Sequence, residues 1–274
     1  MNNLRVLLII SCVPVIVMGA YINKKDKDKE PSYLLKKLFW YGVLSIFPIL
    51  ALELFARNFI SVDKNLNPFI LFINIFISVA LIEEGAKWVI INKTIYYDKN
   101  FNHVYDAIIY SVFVSLGFAL VENVMYVLGS NAITGILRGV TAIPCHTCDG
   151  IIMGYFMGKA KSEEYKNNYS LSKKYMFYSL LCPIMLHTFY DFSIFLQNNY
   201  SLILLPIITI FIFIISYILI KKVSQVEFNF DGKQYMESLT YQVNSNGICF
   251  KYAMKMMLAV SISLIMISSF FIHI

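Results

Sequence analysis

Glu83 and Glu84 stand side by side in an otherwise apolar run, Pro68 to Ile91, with Lys87 one helical turn further on. An ionised carboxylate in the middle of a lipid-spanning helix costs about 3 kcal/mol on insertion scales, so a chain that keeps two beside a lysine is expected to use them. Residues three and four apart share a helix face, so Lys87 can neutralise one glutamate while the other projects into a cavity. Two adjacent carboxylates resist ionising together, which suits one of them to general-base work. A structural ion pair that ties helices together is the plainer reading of the same three residues.

Three later segments repeat the pattern of polar chemistry in apolar helices. Phe118-Ala-Leu-Val-Glu122-Asn123 carries a lone carboxylate, which by itself reads equally well as a helix–helix hydrogen bonder. Pro144-Cys-His146 leads into Gly150, Gly154 and Gly158, a four-residue glycine ridge that lets another helix approach closely. Pro144 is expected to kink that helix. Cys145-x-x-Cys148 has a redox spacing but no βαβ context. With His146 these thiols could supply soft metal ligands, although adjacent side chains on a helix diverge by about 100°. His187 and Asp191 lie at i,i+4 on one face, where the aspartate can fix the imidazole tautomer. Of the four histidines, His103 falls near a loop and His273 at the tail.

The elements that must position these groups are membrane helices. The chain is 58% hydrophobic and 15% charged, against about a quarter charged in soluble domains. The expected fold is an all-α integral membrane protein, a polytopic bundle of about eight transmembrane helices. The spans read as about 4–22, 38–57, 68–91, 105–128, 138–158, 175–197, 201–220 and 255–272. They form one transmembrane domain over 1–274, with a catalytic core at about 68–197 and a short cytoplasmic loop region at 221–254. Within that loop, Glu227 to Gly232 alternates like a short strand entering a hairpin.

The net charge of +6 is concentrated in alternate loops: Lys24 to Lys37, Lys159 to Lys174, and Lys221 onward. By the positive-inside rule those loops are cytoplasmic and both termini lie outside. The lysines therefore report topology, and no nucleic-acid partner is expected. The first span offers only Arg5 as an n-region charge and no A-x-A-like cleavage site, so it reads as an uncleaved helix. The five cysteines are scattered and form no disulfide framework.

Taken in order, Glu83-Glu84-Gly-Ala-Lys87, Phe118-x-x-x-Glu122-Asn123, Pro144-Cys-His146 with Gly150 and Gly154, and His187-x-x-x-Asp191 resemble the PrsW family of intramembrane proteases. More distantly they are similar to the CPBP group, which includes the prenyl-protein CAAX endopeptidases. That group carries His where Glu122 stands and Asn where Asp191 stands. The resemblance covers about Leu81 to Phe192. It implies an intramembrane endopeptidase of the bacterial plasma membrane that makes the first, extracytoplasmic cut in a membrane-anchored anti-sigma factor during a stress or antimicrobial-peptide response.

Within that resemblance, Glu83 is the expected general base, with Glu84 sharing its proton or holding Lys87. Glu122 positions the water, and His187 with Asp191 polarises the scissile carbonyl. His146 is a further electrophile or a ligand. A metal-assisted scheme uses His146, His187 and Glu83 as a two-His-one-carboxylate zinc set. Residue types alone do not separate the two schemes. An ion- or proton-coupled transporter using the same residues as a relay is the alternative, and a scaffold or sensor is a third reading. Two matching halves with broken helices, which a transporter favours, are not visible. Counted from the lysine-rich face at about 1.5 Å per residue, Glu122, Asp191 and His187 fall at or beyond mid-bilayer while Glu83 falls short, a mismatch of order 10 Å.

Overall fold

A computed structural model describes residues 4–196 and 201–223. Every regular element in them is helical: α1 (Leu4–Lys25), α2 (Ser32–Ala56), α3 (Pro68–Ile75), a π-helical turn (Phe76–Ala80), α4 (Leu81–Thr94), α5 (Val104–Gly129), α6 (Ala132–Val140), α7 (Ala142–Tyr165), α8 (Tyr169–Phe195) and α9 (Ser201–Val223). The expected hairpin at 227–232 and the eighth span at 255–272 lie outside the described residues.

Among the described residues, five stretches are long and apolar enough to cross a membrane: α1, α2, the continuous run Pro68–Thr94, α5 and α9. Two further expected spans, 138–158 and 175–197, fall largely on α7 and α8. α7 and α8 are as long but more polar, and packing explains why. Every residue of α7 from Ala142 to Glu163 is buried. α7 packs against α5, α8 and α9, so protein rather than lipid surrounds it and its composition is released from the demands of the bilayer.

The expected span 138–158 is divided in the structure. A break at Thr141 separates α6 from α7, and α7 runs on to Tyr165. Pro144 occupies the third position of α7, where a backbone N–H has no intrahelical acceptor, so it starts the helix instead of kinking it.

Local chemistry sets several boundaries. The side chain of Asn67 accepts from Phe69 N at 2.9 Å with Pro68 at the first helical position. Asn131 and Asn168 cap α6 and α8 in the same way. Asp106 Oδ2 accepts the backbone N–H groups of Asn102 and His103 at 2.8 and 2.6 Å ahead of α5.

Glycines fix the closest approaches. A Cβ on Gly154 would meet Ala107 O at 2.3 Å, so the glycine ridge of α7 lies directly on α5. A second contact of this kind joins α2 to α5, where Cβ atoms on Gly42 and Gly117 would each lie 2.0 Å from a carbonyl oxygen of the other helix. Glu30 bonded to Tyr110, His103 beside Asp28, and Tyr96 bonded to Glu164 gather the lysine-bearing turns at one end.

Candidate functional site

Glu83 and Glu84 follow directly on the π-helical turn, in which Leu81 N–H bonds back five residues to Phe76 O. That turn holds one more residue than an α-turn. Glu83, Glu84 and Lys87 are all buried, while Leu81 and Val89 of the same helix are exposed. Lys87 Nζ lies 2.6 Å from Glu84 Oε1 and 3.5 Å from Glu83 Oε2, the i,i+3 and i,i+4 pairs read from the spacing. The ring of Phe118 lies under the ammonium, 4.2 Å away.

His146 enters from the first turn of α7. Its Nδ1 lies 3.4 Å from Lys87 Nζ and its Nε2 lies 2.9 Å from Glu122 Oε2. An ammonium only donates, so the nitrogen facing it presents a lone pair and Nε2–H donates to Glu122. Glu122 Oε2 also accepts from Arg138 Nη2 at 2.7 Å. Its position is thus set by two donors.

His187, from α8, bonds Glu84 Oε1 through Nδ1 at 2.9 Å. Its Nε2 lies 3.3 Å from Asp191 Oδ2 and 3.8 Å from Glu83 Oε2. The two imidazole centroids are 5.2 Å apart. All six residues singled out in the sequence therefore converge: Glu83, Glu84, Glu122, His146, His187 and Asp191.

The 10 Å depth mismatch does not occur. α4 ends at Thr94, but the chain continues buried through Ile95 and Tyr96, and the Tyr96 hydroxyl reaches Glu164 at 3.0 Å. The connector, not the helix alone, carries this segment to the level of the inner end of α7.

Two participants escaped the sequence reading. Asp149 lies one turn after His146, buried, with Oδ2 3.8 Å from His187 Nδ1 and Oδ1 without a hydrogen-bond partner; its i+3 spacing from His146 was the available signal. Arg138 comes from α6, a separate helix, and nothing in its local spacing points to Glu122. Cys145 and Cys148 face Thr209 and Ser216 of α9, and both are free thiols.

The donor set suits a metal ion. One donor atom from each of Glu83, Glu84, His146 and His187 lies within 4.8 Å of the others. Glu83 Oε2 and Glu84 Oε2 are buried without a hydrogen-bond partner, lone pairs that a cation would satisfy. Five carboxylates converge here (Glu83, Glu84, Glu122, Asp149 and Asp191) with Lys87 and Arg138 as the permanent cations among them. A divalent ion would offset the excess.

Exposure falls inward across the site. The side chains of Glu122, Asp191 and Arg138 are 17%, 17% and 16% exposed, while Glu84 and Lys87 are 0% exposed. Glu122 lies in the last third of α5 and His146 at the start of α7, so the open side is the end away from the lysine-bearing turns.

Comparison with known proteins covers most of the chain. The family described as PrsW family intramembrane metalloprotease matches residues 30–220. The chain is 36% identical over 193 residues to Protease PrsW of Oceanobacillus iheyensis, covering 70% of this chain and 85% of the relative. It is 32% identical over 194 residues to Protease PrsW of Bacillus subtilis, covering 70% and 84%. It is 33% identical over 209 residues to Protease PrsW of Clostridioides difficile, covering 74% and 85%. No solved structure matches.

Proposed function

The chain belongs to the PrsW family of intramembrane metalloproteases, and on that premise we propose that it hydrolyses a peptide bond of a membrane-anchored protein at the Glu83–Glu84–His146–His187 cluster. The substrate we assign is a single-span anti-sigma factor of the bacterial plasma membrane, cut on its extracytoplasmic side. The exposure of Glu122, Asp191 and Arg138 supports that side, since a substrate stem and water would enter where the site is least enclosed. A proton relay for transport is not favoured by membership of a protease family.

The single observation that carries the chemistry is the convergence of two carboxylates and two imidazoles within 4.8 Å. Glu84, His146 and His187 of this cluster would hold a divalent ion, zinc in our reading, with one coordination position left open, and when bound it would polarise a carbonyl or water as a Lewis acid. Glu84 is occupied by Lys87 and His187 at 2.6 and 2.9 Å. Glu83 is held more loosely, at 3.5 Å from Lys87 and 3.8 Å from His187. It is therefore the carboxylate that accepts the proton of the attacking water. Glu122 takes Nε2–H of His146 and leaves the Nδ1 lone pair facing inward, toward Lys87. Asp191 holds His187 from the neighbouring turn.

The test is metal content and chelator sensitivity of the purified protein, with cleavage of co-expressed single-span substrates by wild type and Glu83→Gln. Full cleavage without bound metal would end the metal assignment, and undiminished cleavage by Glu83→Gln would end the assignment of the base.

A further inference from the structure

α6 is a short helix on the open side of the bundle. Ile133, Ile136, Leu137 and Val140 are exposed along it, while Gly135 and Gly139 face inward. A Cβ on Gly135 would lie 2.7 Å from Val127 and 2.8 Å from Ile10, and one on Gly139 would lie 2.9 Å from Pro14. The two glycines thus seat α6 against α1 and α5. The residue before the second glycine is Arg138, and its guanidinium makes three contacts at once. Nη2 donates to Glu122 Oε2 at 2.7 Å, Nε donates to Asn123 Oδ1 at 3.2 Å, and the plane lies 3.9 Å from the Tyr126 ring centroid.

Glu122 is partly exposed, and its Oε2 is held by two donors, Arg138 Nη2 and His146 Nε2. What places its Oε2 against His146 is the donor arriving from α6. We infer that Arg138 is a positioning residue: it fixes the Glu122 carboxylate from outside the four-motif set and thereby sets the orientation of His146. The orientation matters because Lys87 stands 3.4 Å from Nδ1. With Glu122 in place, Nε2–H donates to the carboxylate and Nδ1 offers a lone pair inward. With Glu122 displaced, Lys87 still disfavours a hydrogen on Nδ1, but Nε2–H has lost its acceptor and the ring its second anchor. A lysine cannot replace the arginine here, because the fork and the flat face are both used.

The inference rests on the proposed role of His146, and the experiment separates the two. The full chain, labelled with 15N-histidine and reconstituted metal-free in lipid nanodiscs, gives four imidazole systems, and His146→Gln assigns the one of interest. Wild type is expected to show His146 with hydrogen on Nε2 alone. Arg138→Met and Arg138→Lys are both expected to keep that tautomer but to lose the downfield Nε2–H signal of a hydrogen bond to a carboxylate. The lysine variant keeps the charge and the aliphatic stem, so it serves where the methionine variant fails to fold. In a parallel titration with zinc alone, both variants are expected to bind about 10-fold more weakly than wild type. The Arg138→Met effect on zinc binding should shrink to under about twofold in a Glu122→Gln background. An unchanged His146 spectrum in folded Arg138→Lys would overturn the inference. So would an equal loss of zinc affinity in both backgrounds. Absence of zinc binding by wild type would instead strike the metal reading and leave the spectrum to decide the role of Arg138.

Discussion

Lys87 and His146 are 59 positions apart in the chain, and Lys87 Nζ lies 3.4 Å from His146 Nδ1. This contact joins the helix that carries the paired glutamates to the helix that carries the first histidine. It also orients the imidazole, since a donor-only group on one side leaves the opposite nitrogen to hold the hydrogen. The ammonium is wholly buried, so the glutamates on either side of it are as necessary to it as it is to them.

Removal of that ammonium is the most destabilising single change expected in the site. Lys87→Met leaves Glu83 and Glu84 buried without their counter-ion. Breaking a buried pair in this way costs about 3–5 kcal/mol. Unfolding midpoints in a graded SDS titration should drop accordingly. The double variant Lys87→Met, Glu84→Gln should recover a measurable part of the loss, because it removes the uncompensated charge as well. If the single variant unfolds with wild type, the ion cluster is not what holds α4 in place.

Glu83→Gln keeps the shape of the side chain but cannot accept the proton. Its cleavage rate is expected to fall at least 100-fold, within the usual range for loss of a general base, with little change in the unfolding midpoint. Rate and midpoint must be read on the same preparation, because a parallel fall in both would make Glu83 a structural residue.

Glycines at two positions should behave oppositely. A methyl at Gly154 would lie 2.3 Å from Ala107 O and 2.4 Å from Ile108 Cα, so Gly154→Ala must push α7 off α5. Overpacking of this kind costs about 1–3 kcal/mol. Gly85, inside α4, has nothing within 4 Å of an added Cβ. Gly85→Ala should raise stability by up to about 1 kcal/mol through helix propensity. Equal effects of the two substitutions would show that the α5–α7 contact is looser than described.

The inner turns carry a pH dependence of their own. Burial, reinforced by the charge of Asp106, pushes the Glu30 carboxyl up to about 8, and burial pushes that of Asp26 up to about 6. A carboxyl raised on folding favours the folded state while it is protonated. That contribution is complete below the ordinary value of about 4.5 and is lost as pH climbs through about 8. The thermal midpoint should therefore be lower at pH 9 than at pH 5, and Glu30→Gln should narrow the difference. A midpoint that rises over this range in wild type but not in the variant would contradict the protonated Glu30–Tyr110 contact.

Much of this site was legible because helical spacing is a local rule. Glu83, Glu84 and Lys87 meet at i,i+3 and i,i+4, as do His187 and Asp191, and no tertiary information is needed to see it. The glycine ridge was legible for the same reason. What the sequence withheld was long-range. His187 reaches Glu84 across 103 positions, and Arg138 reaches Glu122 from a helix whose separation from α7 at Thr141 no hydropathy profile marks. The polarity of α7 has a related cause. α7 is enclosed by protein along nearly its whole length, so its polarity carries no information about lipid.

The π-helical turn at Phe76–Ala80 has a consequence for how this segment tolerates change. An α-helix advances about 100° per residue, so an extra residue ordinarily rotates everything after it by that angle; here the wide turn takes up the extra residue, and α4 keeps the phase it would have after a regular α-turn. Removing Val79 alone would let the turn close as α-helix and leave the three ionisable side chains of α4 on the same face. A second deletion, with no wide turn left to absorb it, would swing them out of phase with both histidines and toward the bilayer, so this stretch tolerates the loss of one residue but not of two.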